Sequence, residues 1–147
     1  MIGAKGKIYD FEDEKLKPLK IKEVIESIQK AISGEKFDVV FTHGRNGEYG
    51  HPRHIEAHNV VNKMLKDKLL KSKKAYFFNY SKGKNIPYPR LKTPDPIKNS
   101  DMSLSLTEKE LKTKKKIVRD VYGYPNEKGF ELLSCNPIET FKLKWKF

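Results

Sequence analysis

The stretch that decides the fold covers residues 38–54 and reads Asp-Val-Val-Phe-Thr-His-Gly-Arg-Asn-Gly-Glu-Tyr-Gly-His-Pro-Arg-His. Its first five residues, ending at Thr42, form a short apolar run that is typical of a buried parallel strand. A loop with three glycines follows over residues 43–50, and Pro52 suits the first turn of a new helix. The stretch therefore predicts a strand at the centre of a sheet, a glycine loop and a helix in direct succession.

Amphipathic helices are predicted on both sides of this strand. Residues 19–33 place apolar side chains at spacings of three and four, and Gly34 follows as a helix stop. After Pro52 the apolar spacing continues to about Leu70, and residues 75–80 read as a second strand. We therefore expect an α/β fold of the Rossmann-like, three-layer αβα type with a mainly parallel sheet, in one domain over residues 1–147.

The C-terminal half gives weaker signals. Residues 80–100 contain four prolines and predict a long irregular surface loop, which is either functional or a simple connection. Thr107 and Glu110 have the spacing of a capping box. The buried stripe of the helix that follows is expected at Leu111, Val118, Val121 and Tyr122. The last residues, 141–147, alternate between apolar residues and lysine and predict a half-buried strand with a basic outer face.

Composition limits the functional classes. The chain of 147 residues carries 31 Lys plus Arg against 19 Asp plus Glu, a net charge of +12 that permits a basic nucleic-acid or polyanion-binding module without catalysis. Nucleic acid is nevertheless disfavoured as a partner, because only four of the cations are Arg and the lysines are scattered. A steep salt dependence of binding to DNA or RNA would favour this alternative. The single cysteine, Cys135, excludes an internal disulfide framework, and with no leader-like or spanning apolar segment we expect a cytoplasmic protein without a membrane span.

All four histidines fall within sixteen positions, at His43, His51, His54 and His58. The last three share one face of the predicted helix, just after the C-terminal end of a strand, where open α/β sheets place their ligands. Histidine is the commonest metal ligand and a frequent general acid or base. The structural alternative is a set of buried histidines that satisfy backbone carbonyls. Neither a His-Glu-x-x-His motif nor a cysteine pair is present, so a self-contained zinc site is not visible.

Two nearby glutamates are expected to differ. Glu56 falls on the side of the helix opposite His54 and is interpreted as solvated. Glu48 in the glycine loop could reach the pocket, although an exposed loop acid is the simpler interpretation.

The run over residues 38–54, with Thr-His-Gly at the strand end and His-Pro-x-His at the helix start, resembles the second signature of the PIG-L/LmbE-like zinc-dependent de-N-acetylases. The resemblance extends more weakly to the end of the chain through residues 114–122 and 139–141. It implies a metal-dependent hydrolase that removes an N-acetyl group from an amino sugar of the N-acetylglucosamine type.

Carried over residue by residue, the resemblance makes His54 a zinc ligand and His51 the catalytic histidine that stabilises the oxyanion and assists the leaving amine. Arg53 occupies a position that is often Asp in the family. His58 is a further candidate for the site. The residues of the loop assigned to substrate binding are Arg45, Asn46, Glu48 and Tyr49.

The family opens with a strand that ends in His-Pro-Asp-Asp, which supplies two further zinc ligands and the general base, and this chain has no histidine before His43. The resemblance therefore implies the later part of the domain, incomplete at its N-terminal side. We expect weak zinc binding and little turnover from the chain alone. An inactive partial product, a subunit completed by another chain and a fragment are the three explanations left open. Self-association or a partner chain would cover the missing strands.

Overall fold

The computed structural model describes residues 5–85 and 92–146. The helices are Ile21–Ile32 (α1), Gly47–Gly50 (α2), Pro52–Lys66 (α3), Glu108–Lys116 (α4) and Phe130–Leu133 (α5), with a π-helical turn at Ile117–Val121 after α4. The strands are Lys36–Thr42 (β1), Lys71–Phe78 (β2), Tyr80–Asn85 (β3), Lys92–Pro96 (β4), Met102–Ser105 (β5) and Ile138–Lys146 (β6). Within the described ranges, no helix combines the length and hydrophobicity that crossing a bilayer requires.

Four strands form one sheet in the order β1-β2-β6-β5. Only β1 and β2 are parallel, because β6 pairs antiparallel with both β2 and β5. The prediction of a mainly parallel, Rossmann-like sheet is therefore wrong, and the fold is mixed α/β with a curled sheet of mixed orientation. The predicted strand β1 exists, but within the described residues it lies at the edge of the sheet and not at its centre.

The core lies between the parallel strands and the pair α1 and α3. Val60, Met64 and Leu65 of α3 are almost completely buried, and they pack in one cluster with Ala75 and Phe77 of β2. Within residues 5–85 and 92–146, the other face of the sheet is not covered as a third layer would cover it. Phe41 of β1 is 51% exposed there. The unit β1-α3-β2 thus has the predicted parallel crossover. The other two strands of this sheet, β6 and β5, pair antiparallel and do not extend the parallel arrangement.

Local signals explain the ends of the first two long helices. In α1 the chain leaves the helix through Ser33 (φ 44°) and Gly34 (φ 75°), both in the left-handed region. In α3, Pro52 occupies the first turn and the ring of His51 caps the helix by accepting from the amide of Arg53 at 3.3 Å. α3 ends at Lys66, before the predicted Leu70, and Lys68 in the turn to β2 has φ 56°, in the left-handed region.

The predicted irregular loop over residues 80–100 contains regular structure. Strands β3 and β4 form a separate antiparallel ribbon in which Pro94 and Pro96 pair with Lys82 and Tyr80. Two prolines two residues apart point their nitrogens to the same side of a strand, so both can occupy an unpaired edge. The other two prolines of this prediction, at positions 87 and 89, lie outside the described residues.

The capping box at Thr107 and Glu110 is confirmed, with both reciprocal hydrogen bonds present. The predicted buried stripe of this helix is wrong for Val121 and Tyr122, which are 74% and 69% exposed, whereas Leu111 and Val118 are half-buried. The π-helical turn changes the residue spacing after Lys116, so positions that a continuous α-helix would bury are carried outward. β6 shows the predicted alternation, with Phe141 buried and Lys142 and Lys144 exposed.

Candidate metal centre

The glycine loop after β1 is folded by its own side chains. Asn46 accepts a hydrogen bond from the amide of Glu48 at 3.2 Å and donates to the carbonyl oxygen of Tyr80 at 2.9 Å. Gly47 has φ 62°, and Glu48 has φ 55° and ψ −68°, a conformation outside the regions that side-chain-bearing residues ordinarily occupy. This turn directs the Glu48 side chain back under the loop, where the residue is only 7% exposed.

One carboxylate oxygen contacts the Nδ1 atoms of two imidazole rings. Oε2 of Glu48 lies 2.7 Å from Nδ1 of His43 and 2.7 Å from Nδ1 of His54. The two rings stack with their centroids 3.8 Å apart and an interplanar angle of 16°. One potential ligand atom from each of the three residues lies within 4.8 Å of the other two. His43, Glu48 and His54 are therefore a candidate metal-binding triad.

The charge on Glu48 is strongly stabilised. Burial alone would raise the pKa of this carboxyl, but hydrogen bonds from His43, His54 and the amide of Gly44 lower it to about 2. The Gly44 amide donates to the second oxygen, Oε1, at 2.7 Å. The carboxylate is thus ionised at neutral pH, and one of its oxygens is held by the backbone while the other faces the two imidazoles.

His51 lies beside the triad, with its ring centroid 4.9 Å from that of His54. Burial, and then the proximity of His54, lower the pKa of His51. Because Nδ1 accepts the amide proton of Arg53, a neutral His51 carries its own proton on Nε2. The ring is therefore a hydrogen-bond donor next to the triad.

Tyr49 forms an aromatic wall of the site. Its ring packs edge to face against His54 at 5.2 Å and against Phe130 of α5 at 4.4 Å. Burial, followed by the negative charges of Glu48 and Glu131, raises the pKa of Tyr49 to about 12. The phenol is thus protonated and neutral at physiological pH.

The remaining predicted site residues lie elsewhere or have structural contacts. His58 is buried and is within 3.0 Å of the carbonyl oxygen of His43, so the backbone-satisfying interpretation applies to this histidine. Asn46 shapes the loop, and Arg45 is exposed. The prediction of a substrate contact from these two residues remains a prediction.

The two glutamates differ from the simpler expectations. Of the two interpretations of Glu48, the exposed loop acid is wrong, because the residue is buried, and its carboxylate reaches the cluster of His43 and His54. Glu56 is not simply solvated. It accepts from Arg53 at 2.5 Å and from the amide of Leu19 at 3.0 Å, and so joins α3 to the N-terminal segment.

His43 was not predicted as a ligand, although the sequence contains a signal for it. It is the first residue after β1, at the carboxyl end of the strand, which is the end predicted to face the site. The chain thus brings together three candidate ligands from residues 43–54, although the resemblance assigned one ligand to this segment.

No protein-family model matches the chain, and no curated protein is significantly similar to it in sequence. The resemblance to the PIG-L/LmbE-like enzymes thus rests on the residues quoted above.

Proposed function

We propose that the chain binds a zinc ion through His43, Glu48 and His54 and is a metal-dependent hydrolase that removes an N-acetyl group from an amino sugar. The observation that carries the metal site is the convergence of two imidazole nitrogens and one ionised, buried carboxylate. The sugar substrate is supported only by the resemblance of the His-Pro-x-His segment.

The donor set fits zinc. Two His and one Glu form the protein ligand set of one class of catalytic zinc sites, which leave a fourth position open. With metal–ligand distances of about 2.0–2.1 Å, a tetrahedral site separates its ligand atoms by about 3.3 Å. The observed separations between Oε2 of Glu48 and the two Nδ1 atoms are 2.7 Å. An opening of about half an ångström at each contact would therefore accommodate the ion. Each Nδ1 now donates to the carboxylate, so zinc binding would also require both Nδ1 protons to leave or to move to Nε2.

A bound zinc ion would lower the pKa of water and polarise an amide carbonyl. Around it, His51 would donate its Nε2 proton toward the oxygen on which negative charge develops. Tyr49 and Phe130 would exclude water from one side of the site, since their rings pack together beside His54. These roles agree with the assignment of His54 as ligand and His51 as catalytic residue.

Glu48 has two competing roles in such a site. It is the only carboxylate of this cluster within the part of the chain that the structure describes, and it could hold the metal or accept a proton from water. Glu48→Gln separates the two. A ligand role predicts loss of zinc, whereas a proton-accepting role predicts that zinc remains and turnover is lost.

The experiment compares the zinc content and the acetate-releasing activity of matched histidine variants. The sequence alone predicts weak zinc binding and little turnover because the resemblance identifies one ligand in this segment, whereas three candidate ligands converge here. We therefore now expect the unmodified chain to retain one zinc ion after dialysis against zinc-free buffer and to release acetate from N-acetylglucosamine conjugates. His43→Ala and His54→Ala should each abolish zinc retention. His51→Ala should keep the zinc and lower turnover by about 10²- to 10³-fold.

The outcomes separate the two parts of the proposal. Equal zinc content in the His51 and His54 variants would overturn the assignment of His54 as ligand. If zinc binds with the expected variant pattern but no N-acetyl sugar is hydrolysed, the metal site stands and the substrate assignment is wrong. If zinc does not bind, the three side chains form a hydrogen-bonded cluster that only anchors the loop.

A further inference from the structure

A second candidate site lies at the other end of the parallel strands. A cavity of about 510 Å³ opens between the first residues of β1 and β2 and the turn that follows α3. His43 follows the last residue of β1, whereas Lys36 is the first, so the cavity lies about 20 Å from the metal centre at an extended rise of about 3.3 Å per residue. The two sites do not share residues.

The cavity combines an apolar floor with a basic rim. Phe37, Leu65 and Leu70 contribute its apolar lining, and Leu65 and Leu70 belong to the buried core cluster. Because these two leucines are fixed by core packing, the floor is a rigid part of the fold. The lysines on the rim that have no described carboxylate partner are Lys36, Lys68 and Lys71.

The strand register explains why this arrangement favours an anion. Lys36 and Lys71 are direct neighbours in the parallel pair β1 and β2, and like charges side by side on adjacent strands repel each other. Two residues further along the same strands, Asp38 and Lys73 carry opposite charges and form an ion pair at 2.6 Å, so no such repulsion arises there. Among the described residues, no carboxylate compensates Lys36 and Lys71 in the same way. An anion bound between them would relieve the repulsion.

We propose that this cavity binds a single-chain amphiphile with an anionic head, of the medium-chain alkyl carboxylate class. The carboxylate would lie at the lysines of the rim, and the alkyl chain would cover the apolar floor. The cavity volume falls within the range of about 300–1,000 Å³ that small-molecule sites occupy. A nucleic-acid backbone fits less well, because it has no apolar chain to place against Phe37 and the two leucines.

The test titrates the full chain with decanoate below its micellar concentration, followed by NMR and calorimetry. We expect saturable binding at one site, with resonance changes in residues 65–73 and none at His43 or His54. Three related probes divide the interaction into its parts. Decanol has the chain without the charge, acetate has the charge without the chain, and decyltrimethylammonium has the opposite charge. Each should bind at least about tenfold more weakly than decanoate.

Variants test the rim. The double variant Lys36→Ala/Lys71→Ala should weaken decanoate binding by about tenfold. Each exposed cation is expected to contribute a factor of about two to five, and the two factors multiply. The matched control removes the same charge at Lys82 and Lys98, which are exposed and lie outside the cavity, and should leave the affinity unchanged.

Equal binding of decanol and decanoate would overturn the proposal, as would equal affinity in the rim and control variants. Binding of acetate alone with the same resonance changes would show a simple anion site and would also contradict it. The four probes are compared on the unmodified chain, so that part of the test does not depend on the folding of any variant. Zinc is not required, and failure here leaves the proposed metal site untouched.

Discussion

The buried ring of His58 holds the backbone of His43, with Nδ1 of His58 3.0 Å from the carbonyl oxygen of His43. A carbonyl oxygen only accepts, so Nδ1 carries the proton and donates it. The ring is 7% exposed and packs edge to face against Phe77 of β2. α3 thus fixes the position from which His43 reaches Glu48.

We expect His58→Ala to affect both stability and metal binding. It leaves the His43 carbonyl without its donor and creates a cavity, which together should lower the free energy of unfolding by about 2–4 kcal/mol. Because supporting partners orient metal ligands, zinc affinity should fall by about 10- to 100-fold. Chemical denaturation of the zinc-free protein and a zinc titration measure the two effects separately. His58→Gln retains a donor and should recover part of both; unchanged zinc affinity in His58→Ala would contradict a supporting role.

Gly44→Ala should displace the loop that carries Glu48. A Cβ at this position would collide with the carbonyl oxygen of Phe78 and would lie 3.4 Å from Oε1 of Glu48. We expect a loss of about 1–3 kcal/mol in the free energy of unfolding, as for other overpacked sites, together with weaker zinc binding. Thermal denaturation and zinc analysis test this. The control is Gly6→Ala, where an added Cβ meets no atom within 4 Å, and equal behaviour of the two variants would refute the steric argument.

Arg53→Ala should release the N-terminal segment from α3. The Arg53 guanidinium bonds to Glu12 at 2.9 Å, to the carbonyl oxygen of Lys17 at 2.9 Å and to Glu56 at 2.5 Å. The side chain is 13% exposed, so its loss should cost about 1.5–3 kcal/mol, as for hydrogen bonds to charged groups in protected positions.

Limited trypsin digestion provides the measurement for this variant. Cleavage after Lys15, which is followed by Leu16, should become at least tenfold faster in Arg53→Ala. Arg45→Ala, which removes an exposed arginine from the glycine loop, should leave that rate unchanged. A similar increase in both variants would show that the Arg53 contacts do not hold the segment.

The thiol of Cys135 should react slowly in the folded protein. Burial raises the pKa of the Cys135 thiol above its ordinary value, more than the nearby Lys114 and Lys115 lower it, and the residue is 8% exposed. Since the thiolate is the reactive form, its fraction at pH 7–8 is smaller than in the unfolded chain and rises only at more alkaline pH. Alkylation by iodoacetamide, followed by mass spectrometry at several pH values, should be at least tenfold slower than in denaturant. Equal rates in both states would contradict this prediction.

Local periodicity was sufficient for the parts of the fold that depend on neighbouring residues. The apolar spacing predicted α1, the apolar run predicted β1, and Pro52 with the spacing that follows predicted α3. Each pattern describes a face that an amphipathic element must bury. The capping box at Thr107 belongs to the same class, because both of its hydrogen bonds lie within one helical turn.

Strand pairing could not be predicted in this way. The alternation in β6 is the same whether the strand pairs parallel or antiparallel, and its partners β2 and β5 lie far from it in sequence. The sequence identified an α/β unit around α3, and extending that unit to the whole sheet gave the wrong fold class. The ribbon of β3 and β4 was not predicted, because the prolines of this segment argue against regular structure when only the sequence is considered. Proline is excluded only from strand positions whose N–H must pair with a neighbouring strand, so β4 can contain Pro94 and Pro96.

The sequence by itself determined the order strand, glycine loop and helix, and it concentrated four histidines where that order predicts a ligand site. Only the tertiary structure decided which of them meet. The left-handed turn at Gly47 and Glu48 buries the carboxylate against the Nδ1 atoms of His43 and His54, while His58 turns to the backbone. Backbone torsions and packing across α3 and β1 set those distances, and residue spacing along the chain does not specify either of them.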